Sequence, residues 1–360
     1  MKVDVQSLGT LNELAHDGAR QATEAMTQMT GIEADVDVTQ ITIVDREDVG
    51  EELVGDQFVG VQFDFEGELT GDTVLVFEEE ASDTIVESLL GASAGGDMAK
   101  SSVKEIGNIM MSGFIDGWAN YLGATIDHSP PEYIERKGSD ILPSDVGEED
   151  QDQVFVFRSE VTWSGGDANF YIYMLPEYGP LAEMMSQHAS TEQDAIPLEK
   201  LQAFKEMTQR GTENAAENVE MMSGIATDAE VTRISFAPIE DVPKQIGDEV
   251  VVGTVVEFTG QPSGYLMVLF DEVSAKNVAE ALMPVEMDSD ELTDNHKSAI
   301  KELGNIMTSG FVDGWANVLE RSIEHSPPRL VHDMGRAAID PLAAQLGQHQ
   351  RHAFIIDSEM

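Results

Sequence analysis

The chain has no cysteine and few basic residues, and each scarcity excludes a class of function. Without cysteine there is no disulfide framework, thiol nucleophile or zinc-cysteine site, which fits a reducing compartment and makes the cytoplasm the expected location. Lys and Arg number 20 against 68 Asp and Glu, a formal charge of −48 over 360 residues. A nucleic-acid duplex or an anionic membrane surface would repel such a chain, so neither is an expected partner. No run approaches the roughly 18 to 20 consecutive apolar residues of a spanning helix, and Met1 to Asp17 lacks the charged-then-apolar pattern of a secretory signal. Glycine-rich phosphate loops, a serine nucleophile elbow and a dinucleotide fingerprint are also missing. The eight His are scattered, and His349 with His352 has no third ligand in view, so the chain is expected to bind no metal of its own.

What remains is a folding sequence: 41% of residues are apolar and they recur in periodic blocks. The acids are spread along the whole length rather than gathered in a tail, a pattern associated with proteins of salt-saturated cytoplasm. At molar salt the Debye length is about 3 Å, so the self-repulsion of the excess acid is largely screened. A halophilic protein is therefore expected.

The sequence is written twice. Residues 105 to 120 (EIGNIMMSGFIDGWAN) and 302 to 317 (ELGNIMTSGFVDGWAN) are identical at 13 of 16 positions, at a shift of 197. The tetrapeptide HSPP follows each, at 128 and at 325. Upstream the shift is 193, pairing Glu13 with Glu206, Gly18 with Gly211 and Phe77 with Phe270. The difference falls in the acidic stretch after Leu282, as expected of a loop insertion. Each copy reads as a long helix (Leu8 to Met29; Leu198 to Met222), alternating strands, a short helix near 81 to 90, the repeated helix near 100 to 122, and a Pro pair that stops further helix. Strands near 153 to 162 and 168 to 175 complete copy one. The expected fold is α+β: two tandem domains, residues 1–190 and 197–360, each an antiparallel sheet with helices on one face. FIIDSEM at 354 to 360 matches FVFRSEV at 155 to 161, and copy two has no partner for residues 167 to 181. Either the sequence is cut short or the second sheet ends in an unpaired edge.

In the repeated helix Glu105 and Asn108 are three apart, as are Glu302 and Asn305, so each pair projects from one face, with Ser101 or Ser298 one turn earlier. A carboxamide is neither base nor nucleophile at neutral pH, but it can orient a water by donating and accepting at once. Phosphoryl transfer is a reaction in which that is enough. Gly107 and Gly304 beside the pairs would admit another protein's backbone, while Gly113 and Gly117 read as packing positions. Trp118, Trp315, Phe114, Ile115, Phe311 and Val312 read as core, and His128 and His325 as helix-end residues near the carbonyl termini.

The combined pattern Ser-x3-Glu-x2-Asn followed after 21 or 22 residues by Pro resembles that of the CheC, CheX and FliY chemotaxis phosphatases. Ser101, Glu105, Asn108 and Pro130 or Pro131 fit it, as do Ser298, Glu302, Asn305 and Pro327 or Pro328. The resemblance covers essentially the whole chain as two CheC-like domains and, with the composition, implies a haloarchaeal chain. It implies dephosphorylation of the response regulator CheY, with Asn108 and Asn305 positioning the attacking water, Glu105 and Glu302 docking the regulator, and Mg2+ held by the regulator. It also implies the receptor deamidase CheD as a possible partner. The first-helix positions where relatives carry a second motif read Glu13-Leu-Ala-His16 and Glu206-Met-Thr-Gln209, so both are expected to have lapsed. The competing expectation is an adaptor that binds CheY, CheD or the motility motor without catalysis.

Overall fold

A computed structural model describes residues 2–53, 55–91, 96–144, 153–163, 169–188, 195–224, 226, 230–247, 249–259, 263–283, 292–319 and 322–359. Two compact units emerge, one of residues 1–197 with 234–241, the other of 198–233 with 242–360.

The first unit runs β1 (Lys2–Asp4), α1 (Val5–Thr30), β2 (Ala34–Asp45), β3 (Gln57–Gly67), β4 (Gly71–Glu78), α2 (Glu79–Leu90), α3 (Asp97–Leu122), β5 (Ile126–His128), β6 (Glu132–Lys137), β7 (Gln153–Trp163), β8 (Asn169–Pro176), α4 (Tyr178–His188) and β9 (Ala195–Pro197). Its sheet is antiparallel, with strands in the order β2-β7-β8-β4-β3 and both β5 and β6 along β3. Period-two alternation gives that sheet two buried faces. On one, Phe157 of β7 meets Trp118 of α3 edge-on at 5.3 Å, and Phe114 packs behind it. On the other, Val154, Val156, Val74, Val76 and Tyr173 form a second core with Leu53, Ile141 and Leu142 from the connecting turns. The helix α1 buries Leu8, Leu11, Leu14, Ala15, Ala19, Ala22 and Met26, a three-and-four spacing that makes one continuous stripe.

The second unit holds α5 (Leu198–Ser223), β10 (Glu230–Pro238), β11 (Val250–Thr259), β12 (Gly264–Asp271), α6 (Glu272–Leu282), α7 (Asp294–Leu319), β13 (Glu324–His325), β14 (Arg329–Met334), α8 (Gly335–Leu346) and β15 (His352–Glu359). From Ile234 onward β10 belongs to the first unit, where Ile234, Ser235 and Phe236 pair with Ile43, Thr42 and Ile41 of β2. The second unit's sheet runs β12-β11-β13, with β14 also on β11. Among the described residues it has no counterpart of β8, and the strand matching β7, β15, is not part of it. Arg233 instead holds Asp357 of β15 at 2.7 Å. The α8 segment, GRAAIDPLAAQL, begins where copy one has only the short turn Gly138–Ile141, and it packs on β14, β11 and the turn Pro243–Ile246.

The α1/α3 and α5/α7 crossings rest on small residues. A methyl at Gly113 would meet the Gln21 backbone at 3.5 Å, and one at Gly117 the Gln21 amide at 3.0 Å. In the second unit Gly314 lies against Gly211. The packing reading of Gly117 therefore stands, with a helix rather than the sheet as the neighbour, while at Gly113 a methyl would make only ordinary contact with that helix. Trp118, Trp315, Phe114, Ile115, Phe311 and Val312 are all buried.

Candidate functional site

Each repeated helix keeps one stripe free of the core. In α3, Ser101 and Glu105 are exposed and Asn108 is half-buried, while Val103, Ile106, Met110 and Met111 on the opposite side are buried. The same holds in α7 for Ser298, Glu302 and Asn305 against Ile300, Leu303 and Met307. The Glu105, Asn108, Glu302 and Asn305 side chains make no hydrogen bond or ion pair among the described residues, so their polar capacity points outward. Both serines are spent on their own helix: Ser101 donates to the Asp97 carbonyl and Ser298 to that of Asp294, each at 2.8 Å.

Gly107 and Gly304 correct the sequence reading. Both are buried and face the sheet: a methyl at Gly107 would stand 2.9 Å from Val61, and one at Gly304 would overlap Thr254. They bring the helix close to the central strand β3 or β11 and are not an opening for another backbone.

The HSPP segment has a definite job. The Ser129 amide donates to the Asp64 carbonyl at 2.8 Å and its hydroxyl accepts from the Asp64 amide at 3.0 Å. Ser326 repeats both bonds with Glu257, at 2.8 and 3.0 Å. This reciprocal clasp anchors Pro130 and Pro131, and Pro327 and Pro328, to the strand beneath the motif helix. His128 is not a helix-end residue. Its ring lies 3.2 Å from the Ser112 hydroxyl, in the middle of α3, and edge-on to Phe63 at 5.5 Å. Ser112 in turn donates to the Asn108 carbonyl at 2.8 Å, as Ser309 does to Asn305. Sequence reasoning passed over this serine, although its recurrence four residues after each Asn was the available signal.

The first-helix positions are arranged differently. Glu13 is exposed, but the His16 ring turns inward, 3.3 Å from the Thr39 hydroxyl, which also meets Ser159 at 3.0 Å. Gln209 donates to Glu213 at 3.1 Å, and the Glu206 side chain lies outside the described residues. Among the described residues no group of three or more His, Asp or Glu could hold a metal ion, and no helix is long and apolar enough to cross a membrane. What the motif helix presents is thus a carboxylate and a carboxamide one turn apart, able to bind and to orient a water.

Comparison with known proteins places this geometry. The model of the CheC-like family matches residues 98–135 and 296–332, the two motif helices with their HSPP segments. CheC1 of Halobacterium salinarum, whose name carries CheY-P phosphatase as a proposed activity, is 36% identical over 189 residues, 51% of this chain and 97% of that protein. The chain belongs to the CheC-like family. Among solved structures, FliY of Thermotoga maritima is 19% identical, with 51% of this chain and 94% of that one covered at a TM-score of 0.42. The chemotaxis protein CheX of Desulfovibrio desulfuricans is 15% identical, with 45% and 99% covered at 0.34. This CheC-like chain therefore carries the family's matched segment twice, at equivalent places in its two copies.

Proposed function

We propose that this protein is a chemotaxis phosphatase that accelerates hydrolysis of the aspartyl phosphate of a CheY response regulator. The observation that carries the reading is the outward, uncommitted Glu and Asn pair, present on both α3 and α7 of a CheC-like chain. Glu105 and Glu302 dock the regulator. The Asn108 and Asn305 amides hold a water against the phosphorus, opposite the leaving carboxylate. The water oxygen bonds to phosphorus as the bond to the aspartyl oxygen breaks, releasing inorganic phosphate and the free aspartate, while the water's proton leaves to phosphate or solvent. The regulator supplies Mg2+, which neutralises charge on the phosphoryl oxygens. The site acts in the cytoplasm at high salt, where short-range fit and amide hydrogen bonds outweigh long-range steering.

The test is the decay of phosphorylated CheY in about molar salt with Mg2+, with this protein at substoichiometric amounts. Catalytic acceleration that disappears in Asn108→Ala with Asn305→Ala is the expected result, and acceleration that survives that pair overturns the reading. One observation favours a second reading, an adaptor for CheY, CheD or the motor: on α1 the residue three after Glu13 is His16, whose ring is committed to Thr39, so that position offers no amide. Binding of phosphorylated CheY without faster decay would select it.

A further inference from the structure

The charge pattern on the motif helices is unusual for this chain. Acids outnumber bases 68 to 20, yet Lys104 and Lys301 have no acidic neighbour at helix spacing. Their residues at three and four positions either way are Lys100, Ser101, Gly107 and Asn108, and Lys297, Ser298, Gly304 and Asn305. Each copy therefore stacks two lysines one turn apart, a like-charge arrangement that destabilises an isolated helix. In copy one Lys100 is drawn aside, 3.9 Å from Glu135 and over the Tyr133 ring at 4.9 Å. Neither Lys104 nor Lys301 forms a hydrogen bond or ion pair among the described residues, and Lys301 is exposed. On a helix of 3.6 residues per turn each lies about 40° around the axis from the Asn and about 100° from the Glu. The carboxamide thus has a carboxylate on one flank and an ammonium on the other, in both copies.

We propose that Lys104 and Lys301 contact the phosphoryl oxygens of the aspartyl phosphate while the neighbouring Asn holds the water. The inference rests on the phosphatase reading above and adds a residue to it. As the water oxygen bonds to phosphorus and the bond to the aspartyl carboxylate breaks, the ammonium faces the charge on the phosphoryl oxygens and keeps its own proton throughout. It acts as a fixed cation, not as an acid or base. Carried on the same helix as the amide, it is delivered to the site together with the amide, on a flexible stem that can reach the phosphoryl oxygens.

The experiment compares the full chain with Lys104→Gln plus Lys301→Gln, with Lys104→Arg plus Lys301→Arg, and with Asn108→Ala plus Asn305→Ala, on phosphorylated CheY with Mg2+ across a range of salt. The expected result is a kcat about tenfold lower in the Gln pair, less than for a fully buried oxyanion donor because water and salt screen the site. KM should stay within about twofold, melting temperature should not move, and the Arg pair should restore most of the rate. An unchanged kcat, or a loss confined to KM that fades as salt rises, overturns the proposal, because it makes these lysines steering charges or bystanders. Where the Asn pair abolishes the acceleration and the Gln pair does not lower kcat, the lysine role alone fails. No acceleration by the unaltered chain, or full acceleration by the Asn pair, removes the phosphatase reading and this inference with it.

Discussion

The two copies share the motif helix almost letter for letter, yet they hold it in place by different means. At the start of α7, the amide of Thr293 donates to the His296 ring at 3.0 Å, and the His296 amide reaches back toward the Thr293 hydroxyl at 3.4 Å, a capping box with imidazole in the usual place of a carboxylate. Its counterpart in copy one is Gly96, at φ 66°, which offers no side-chain cap. Past the helix the balance reverses. His128 is held by Ser112 and Phe63, whereas His325 is exposed and bonds only the Ser326 carbonyl among described residues, and the position equivalent to Phe63 is Val256, which has no ring to offer. Before the short helix, Asp271 caps α6 through the amides of Val273 and Ser274, both at 2.9 Å, while the equivalent Glu78 caps nothing on α2. Between the copies the motif helix, on its outward and its buried side, and the serine clasp on its strand are the same, while the helix caps and the surroundings of the histidine differ.

The comparison breaks most visibly if only one copy works. Asn108→Ala and Asn305→Ala, made singly, are each expected to remove about half of the accelerated decay, and together to lower it by about a hundredfold or more. A single variant as inactive as the pair would show that the other copy had kept the motif without the activity. Next in size is the helix-to-sheet contact. Gly304→Ala drives a methyl into the buried Thr254 and should cost about 2 kcal/mol. Gly107→Ala meets the edge of Val61 at 2.9 Å and should cost less, and chemical denaturation that ranked the two the other way would contradict the geometry. The cap is smaller still: Thr293→Ala should destabilise the second unit by about 1 kcal/mol, read from the same melts.

The smallest effect is in the acid limb. Hydrogen bonds from Ser274 and the α6 backbone hold the Asp271 carboxyl below its ordinary value. Its contribution is therefore present above the unfolded carboxylate pKa and lost as pH falls through the lower folded one. Burial, with neighbouring Asp56 and Glu160, raises that of Glu78 against the lowering bond from the Asn169 amide. Its contribution has the opposite sign, present below the unfolded pKa and lost as pH rises through the folded one. Asp271→Asn should flatten the loss of stability on acidification, and Glu78→Gln should flatten a gain. Melting temperature followed from pH 7 to about 3 checks both slopes.

The long helices and principal strands, the two-fold repetition, the antiparallel sheet with its helix layer and the outward Glu and Asn pairs were legible in the sequence. Each depends on local periodicity: a spacing of two or three-and-four decides which side of its own element a residue occupies. Tertiary structure decided what lies on that side. Gly107 and Gly304 sit next to Asn108 and Asn305 in the chain but about 100° around the helix from them, against β3 and β11, and no spacing says which strand waits there. His16 falls three residues from Glu13, as Asn108 does from Glu105, yet its ring goes to Thr39, because the packing of α1 on β2 sets where that face ends. The β5, β6 and α8 segments escaped sequence reading for local reasons. The three-residue IDH is too short to show a period, and in GRAAIDPLAAQL the helical spacing of Gly335, Ala338, Ile339, Leu342 and Ala343 is interrupted by Pro341, which reads locally as a helix stop. Sequence by itself thus determined the repeat, the faces and the outward Glu and Asn pair. Long-range packing, which couples residues distant in the chain, decided which residues support that pair and which face it outward.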